Sequence, residues 1–271
     1  MPRYPGHPER RPVLIAGGSS GIGAATGVML AAAGHPVALG ARRVEKSQEF
    51  VEEIVAAGGE AIAVPLDITD ATSIDECITK AEAELGALEV VVSGAGDLWP
   101  GRTFEMSDEE FANQVTIHLL GAQRLYRRIV PEMIDRRRGD FVFISSDVAA
   151  DPRPHMGAYA AAKAGVEALA LVARQELEGT GVRASLVRPG QTMTGMGTNF
   201  DAETAAAMLN DWVAFGFARH GFFLKPVHLA TAITTVVTMP RGSHMRLVEV
   251  EAEAPILAPS QPDKPQQGDN S

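Results

Sequence analysis

Between residues 13 and 250 the chain alternates short, nearly continuous apolar runs with longer segments whose apolar positions recur at helical spacing. The runs Val13 to Ala16, Pro36 to Leu39, Ala61 to Leu66, Leu88 to Val92, Phe141 to Ser145, Val182 to Val187 and Arg246 to Val250 read as strands. Most lack a polar face, so both of their faces must be covered, and the segments between them are long enough for crossover helices. The pattern predicts a single α/β domain over 13–254, a doubly wound parallel sheet of about seven strands with helices on both faces. Proline at positions 2, 5, 8 and 12, and Pro255, Pro259, Pro262 and Pro265 among Gln, Ser, Asp and Asn, mark 1–12 and 255–271 as flexible tails.

Composition narrows the function classes. The 271 residues are 45% hydrophobic and carry 24 basic against 34 acidic side chains, a net charge of −10. That suffices for one buried core and disfavours nucleic acid or an anionic membrane as partner. The run Arg136-Arg-Arg138 reads as a solvated helix C-terminus, where cations suit the helix dipole. A single cysteine, Cys77, excludes an intrachain disulfide and fits a cytoplasmic protein. The seven histidines show no metal-ligand spacing, so no metal is expected. Val13 to Ala41 is free of Asp, Glu, Lys and Arg, yet its seven glycines break any exported or membrane-spanning helix.

The first run leads into Ala16-Gly-Gly-Ser-Ser-Gly-Ile-Gly23 and an Ala-rich helix ending near Gly34. Strand, glycine turn and helix together bring backbone N–H groups to a pyrophosphate at a helix N-terminus, the Rossmann-type arrangement. The same residues spell G-x-S-x-G around Ser19, the nucleophile elbow of α/β-hydrolases; that elbow belongs inside an already built sheet, whereas this turn closes the first strand. After the second strand stands Gly40-Ala41-Arg42-Arg43, with no acid for an NAD ribose and a guanidinium, Arg42, for a 2′-phosphate. NADP is therefore favoured over NAD.

Further on, Tyr159-Ala-Ala-Ala-Lys163 places a phenol and an ammonium at i and i+4 on one helix face, and Ser146 ends the fifth strand at the sheet edge where ligands of such folds bind. In this order and spacing the motifs resemble the short-chain dehydrogenase/reductase family, in its single-domain YxxxK branch, over about residues 12 to 254. The resemblance implies an NADP-dependent oxidoreductase moving a hydride between nicotinamide and a carbonyl/alcohol pair. It implies that Gly17, Ser19, Ser20, Gly21, Ile22 and Gly23 form the cofactor turn, with Arg42 and Arg43 beside the ribose and Asp67-Ile68 at the adenine. Gly94, Ala95 and Gly96 would line the cofactor, and Pro189, Gly190, Thr192 and Thr194 its nicotinamide end. Ser146 would polarise the substrate oxygen and Tyr159 would exchange the proton. Lys163 would hold the ribose and lower the tyrosine pKa; about three units of lowering is worth about 4 kcal/mol.

Three departures from the family pattern stand out: Ala16 where Thr is usual, Ser93-Gly94 where Asn-Asn is usual, and His118 where a catalytic Asn is common. His118 either relays protons or fills space. These departures keep a second reading open, a nucleotide-binding sensor or scaffold that has lost turnover. The stretch 193–224, in this family a substrate lid, holds Met193, Met196, Phe200, Met208, Leu209, Trp212, Phe215, Phe217, Phe222 and Phe223, which points to an apolar small-molecule substrate. The helix from Ala158 to Leu177 is apolar or small on nearly every side, so one face is left for a second copy; a homo-oligomer follows, tetramer before dimer.

Overall fold

The computed structural model describes residues 6–196, 201–217 and 220–256. Seven strands, β1 (Val13–Ala16), β2 (Val37–Ala41), β3 (Ala61–Pro65), β4 (Val90–Ser93), β5 (Gly139–Ile144), β6 (Val182–Pro189) and β7 (Leu247–Val250), form one parallel sheet in the order β3-β2-β1-β4-β5-β6-β7. All seven expected strands are present, with no end moved by more than two residues. The order reverses between β1 and β4, which opens a crevice beyond their carboxyl ends.

Eight α-helices flank the sheet: α1 (Gly21–Ala32), α2 (Val44–Ala56), α3 (Ala71–Leu85), α4 (Asp108–Val115), α5 (Gly121–Asp135), α6 (Gly157–Glu176), α7 (Ala202–Ala214) and α8 (Pro226–Thr238). A π-helical turn, Thr116–Leu120, joins α4 to α5. On one face Leu14, Phe141 and Phe143 pack under Ile78 of α3, Ile129 of α5 and Val166 of α6. On the other, Ile15, Leu39 and Val142 pack under Leu30 of α1, Ile54 of α2 and Ile233 of α8. Each such fully buried side chain contributes about 1.5 to 3 kcal/mol, and covering both faces explains why the strands carry no polar alternation.

The N-terminal segment departs from the expected tail. Arg11 is 2% exposed and ion-paired with Asp140 at the start of β5; Arg183, at the start of β6, donates to the same carboxylate through Nε at 2.6 Å. Arg10 pairs with Glu60, and His7 is within 2.9 Å of the Met239 carbonyl. Proline content suggested a loose tail, but a buried carboxylate under the sheet needs cations, and Arg11 supplies one. The arginine run after α5 is exposed at Arg137 and Arg138, as a solvated helix end requires. Arg136 donates to the Leu88 carbonyl and Arg138 to Glu89, which also ties the helix end to the entry of β4.

Candidate active site

The glycine turn lies at the reversal point. Gly17 has φ +96°, and a Cβ there would stand 2.9 Å from the Ala95 backbone nitrogen; a Cβ on Gly23 would stand 2.2 Å from the Gly17 carbonyl oxygen. In both cases the Cβ would strike backbone atoms, which cannot swing aside, so only glycine lets the turn close this tightly. Ser20 is the N-cap of α1 but makes no side-chain cap bond, and the first turn has no acidic residue. Backbone N–H groups of Gly21, Ile22 and Gly23 therefore meet the crevice without a capping side chain, as an anion site requires. Ser19 belongs to the same turn, and Gly94 closes the floor, its N–H on the Ala16 carbonyl at 3.0 Å.

Arg42 and Arg43 stand exposed at the end of β2. Across from them, Asp67 accepts from the Thr69 hydroxyl at 2.7 Å and from the Thr69 N–H at 2.9 Å. Those bonds hold its carboxyl below the usual range, against some desolvation, and the Arg42 charge adds to the effect. Ile68 turns its side chain into the core against Gly121.

Ser146 lies two residues beyond β5 rather than at its end, as N-cap of a one-turn 3-10 helix, Asp147–Ala149. Tyr159 and Lys163 emerge from the first turns of α6, 7% and 5% exposed. The lysine Nζ donates to the Ile144 carbonyl at 2.8 Å and lies 5.6 Å from the tyrosine ring centre. Burial lowers its pKa to about 8. The tyrosine moves opposite to the lowering expected of it. Burial pushes its hydroxyl up to about 12, with a Ser146 hydrogen bond pulling down and Asp147 adding to the rise. Lysine charge on the same helix face is too weak a counterweight to full desolvation of a phenolate.

His118 sits on the π-helical turn, its ring edge-on to Tyr159 with centres 4.9 Å apart. Its Nε2 is 2.7 Å from the Asp97 carbonyl, which assigns the proton to Nε2; buried Nδ1 has no partner among the described residues. Burial first, then the Lys163 charge, pushes the imidazole down to about 3. It stays neutral near pH 7, which argues against a relay through imidazolium. A Cβ on Gly96 would stand 2.5 Å from the ring, so that glycine makes room for the histidine.

At the far end of the crevice Gly190 donates to the Val250 carbonyl at 2.8 Å, Thr192 bridges to Leu224, and the methyl of Thr194 would lie 3.1 Å from a Cβ on Gly21. The structure thus gathers the glycine turn, Gly94 to Gly96, the serine, tyrosine and lysine, and Pro189 to Thr194 around one crevice.

Residues 11–205 match the model of the short chain dehydrogenase family. The chain belongs to that family. The 2,3-dihydro-2,3-dihydroxybenzoate dehydrogenase of Bacillus subtilis is 34% identical over 69% of this chain and 72% of its own length. The 3-oxoacyl-(acyl-carrier-protein) reductase of Staphylococcus aureus is 31% identical over 72% and 80%. Glycine betaine reductase ATRR of Emericella nidulans matches 88% of this chain, which spans only 18% of that protein. Among solved structures, an alcohol dehydrogenase from Thermococcus sibiricus, complexed with 5-hydroxy-NADP, superposes with a TM-score of 0.77 at 28% identity, covering 89% of this chain and 96% of that one. A metagenomic short-chain oxidoreductase in complex with NADP gives 0.75 at 30% identity, covering 90% and 98%. The family assignment removes the hydrolase reading of Ser19.

In this short-chain dehydrogenase the apolar residues of the stretch 193–224 divide into two sets. Met196, Met208 and Trp212 pack with Leu98 against Tyr159, Met156, Val148 and Ala160. Met193, Leu209, Phe215, Phe217, Phe222 and Phe223 face solvent, and Phe200 lies outside the described residues. Among the described residues no group of three metal-ligating side chains occurs and no helix is long and apolar enough to cross a membrane. Several residues escaped the sequence reading: Asp97 through its carbonyl, Asp147 beside Ser146, and Glu167 on α6. Glu167 accepts from Ser145 at 2.8 Å and from both Nε and Nη2 of Arg188, at 2.9 and 2.7 Å, fixing α6 to the sheet edge. Only the adjacency of Asp147 to Ser146 was visible in the sequence.

Proposed function

We propose that this oxidoreductase uses NADP to interconvert a carbonyl and an alcohol on an uncharged, largely apolar small molecule, with Ser146, Tyr159 and Lys163 as its catalytic residues. The observation that carries the reading is the meeting of these three side chains in the crevice that the glycine turn opens. The turn and the first N–H groups of α1 hold the pyrophosphate, Arg42 the 2′-phosphate, Asp67 and the Ile68 backbone the adenine end, and Thr192 and Thr194 the nicotinamide end. When bound, the nicotinamide supplies or accepts the hydride. Ser146 aligns the substrate oxygen, and Tyr159 gives it a proton in reduction. A hydroxyl pushed up to about 12 is held in the protonated form that this donation needs. Buried, cationic Lys163 favours the phenolate left behind and would hold the nicotinamide ribose. The apolar wall of Met156, Met208 and Trp212 against Tyr159 supports an apolar substrate.

We also infer a homo-oligomer: Ala161, Ala164 and Ala168 are exposed along α6 together with Leu171 at 55% and Val172 at 50%. Cys77, buried and free, suits a reducing cytoplasm.

A panel of apolar ketones and alcohols, followed by NADPH absorbance, tests the reading together with Tyr159→Phe. The variant is expected to bind NADPH as the wild type does and to lose at least about a hundredfold in turnover. Near-normal turnover of the variant rejects the tyrosine, and a wild type inert across the panel that still binds NADPH favours a sensor.

A further inference from the structure

One charged pair beside the reacting groups has no part in that chemistry. Asp147 follows Ser146 directly, and its Oδ1 accepts from the Ser146 hydroxyl at 3.0 Å and from the Val148 N–H at 2.9 Å. Its Oδ2 is ion-paired with Nη2 of Arg153; the two side chains are 13% and 12% exposed. The guanidinium carbon of Arg153 lies 5.4 Å from the ring centre of Trp212 on the lid helix, and Trp212 Nε1 donates to the Pro154 carbonyl at 2.9 Å. Hydroxyl, carboxylate, guanidinium and indole follow one another from the substrate-polarising serine to the lid.

We propose that Asp147 is a positioning residue for Ser146 and Tyr159, and that Arg153, held under the lid by Trp212, sets the strength of its hold. The serine has one proton to give. While Asp147 Oδ1 takes it, Ser146 cannot donate to a substrate oxygen, and a carboxylate this close opposes the negative charge of a phenolate. Arg153 on the other oxygen draws the charge away and loosens both effects. The charged and titratable groups around Tyr159 are Lys163 on its own helix, His118 on the π-helical turn, the Asp147–Arg153 pair, and beyond it His155 paired with Asp211 of α7. Of these, the Asp147 carboxylate raises the tyrosine pKa through its negative charge. The pair therefore tunes how readily Tyr159 gives up its proton, and so the balance between reducing a carbonyl and oxidising an alcohol. This rests on the proposed acid role of Tyr159.

Difluorotyrosine installed at position 159 ionises well below tyrosine, and fluorine NMR follows its titration without cofactor, substrate or turnover. Asp147→Asn keeps an acceptor for Ser146 and Val148 while deleting the charge, and should lower the titration midpoint by about one pH unit. Arg153→Gln should raise it by a similar amount. The double variant should fall below the wild type, because Arg153 acts through Asp147. In unlabelled protein, the alkaline limb of alcohol oxidation should move in the same order. Coincident midpoints for wild type and Asp147→Asn overturn the proposal, as does a double variant as high as Arg153→Gln. The Asp147→Asn comparison stands alone should the arginine variant not fold. Shifted midpoints in a protein without turnover would instead reject the oxidoreductase chemistry proposed for Tyr159 while leaving the charge coupling in place.

Discussion

Replacing Lys163 with methionine should separate catalysis from stability. Burial holds the ammonium at about 8 against an ordinary 10.5. At about 1.4 kcal/mol per pH unit, the folded state then carries roughly 3 kcal/mol of unfavourable ammonium burial near neutrality. The sign follows from proton counting. Between about 8 and 10.5 the unfolded chain holds the proton more often than the folded one, so this group makes stability rise with pH across that window. Methionine has similar reach and no charge, and removes the burden at neutral pH. It also abandons the 2.8 Å bond to the Ile144 carbonyl, and an unsatisfied buried acceptor costs about 1 to 3 kcal/mol at every pH. The two effects nearly cancel at neutrality, so the absolute difference there is uninformative. Its pH dependence is the signature. Relative to Lys163→Met, the wild type should gain about 2 kcal/mol between about pH 7 and about pH 9.5. Guanidinium unfolding of the cofactor-free proteins at several pH values measures this; across that window folded His118 is neutral and folded Tyr159 protonated with or without the lysine charge, so both cancel in the difference. A gap between the two proteins that does not change with pH refutes the assignment of a strongly depressed lysine, whatever happens to activity.

Three further outcomes are expected. Arg42→Ala should remove most of the preference for NADPH over NADH by deleting a charge-assisted contact to the 2′-phosphate, read by fluorescence titration; equal affinities in the unmutated protein would contradict the NADP assignment. Asp140→Asn should cost about 3 to 5 kcal/mol in denaturant unfolding, because Arg11 and Arg183 would be left buried without their carboxylate, and a loss under about 1 kcal/mol would show that they find other partners. Light scattering should give a multiple of 28.7 kDa for the wild type and a smaller assembly for Leu171→Glu; a wild-type mass of one chain would mean that the α6 face works uncovered.

The sheet was legible because fully covered parallel strands must be apolar on both faces, which leaves runs such as Val13 to Ala16 and Val182 to Val187 little else to be. The crevice was legible for a similar reason. A turn in which a Cβ on Gly23 would meet a carbonyl at 2.2 Å admits only glycine, and a tyrosine and lysine four apart on a helix share a face by geometry alone. These are local constraints, written within a few residues of where they act. What tertiary structure alone decided are quantities summed over distant neighbours. Desolvation from every side pushed Tyr159 up and left His118 neutral, where sequence proximity to Lys163 suggested a lowered phenol. Arg11 became a buried partner of Asp140, 129 residues away, although the prolines around it mark a tail. Asp147, Arg153 and Trp212 came together because the loop after β5 and helix α7 fold over the same tyrosine, and no spacing along the chain encodes that meeting.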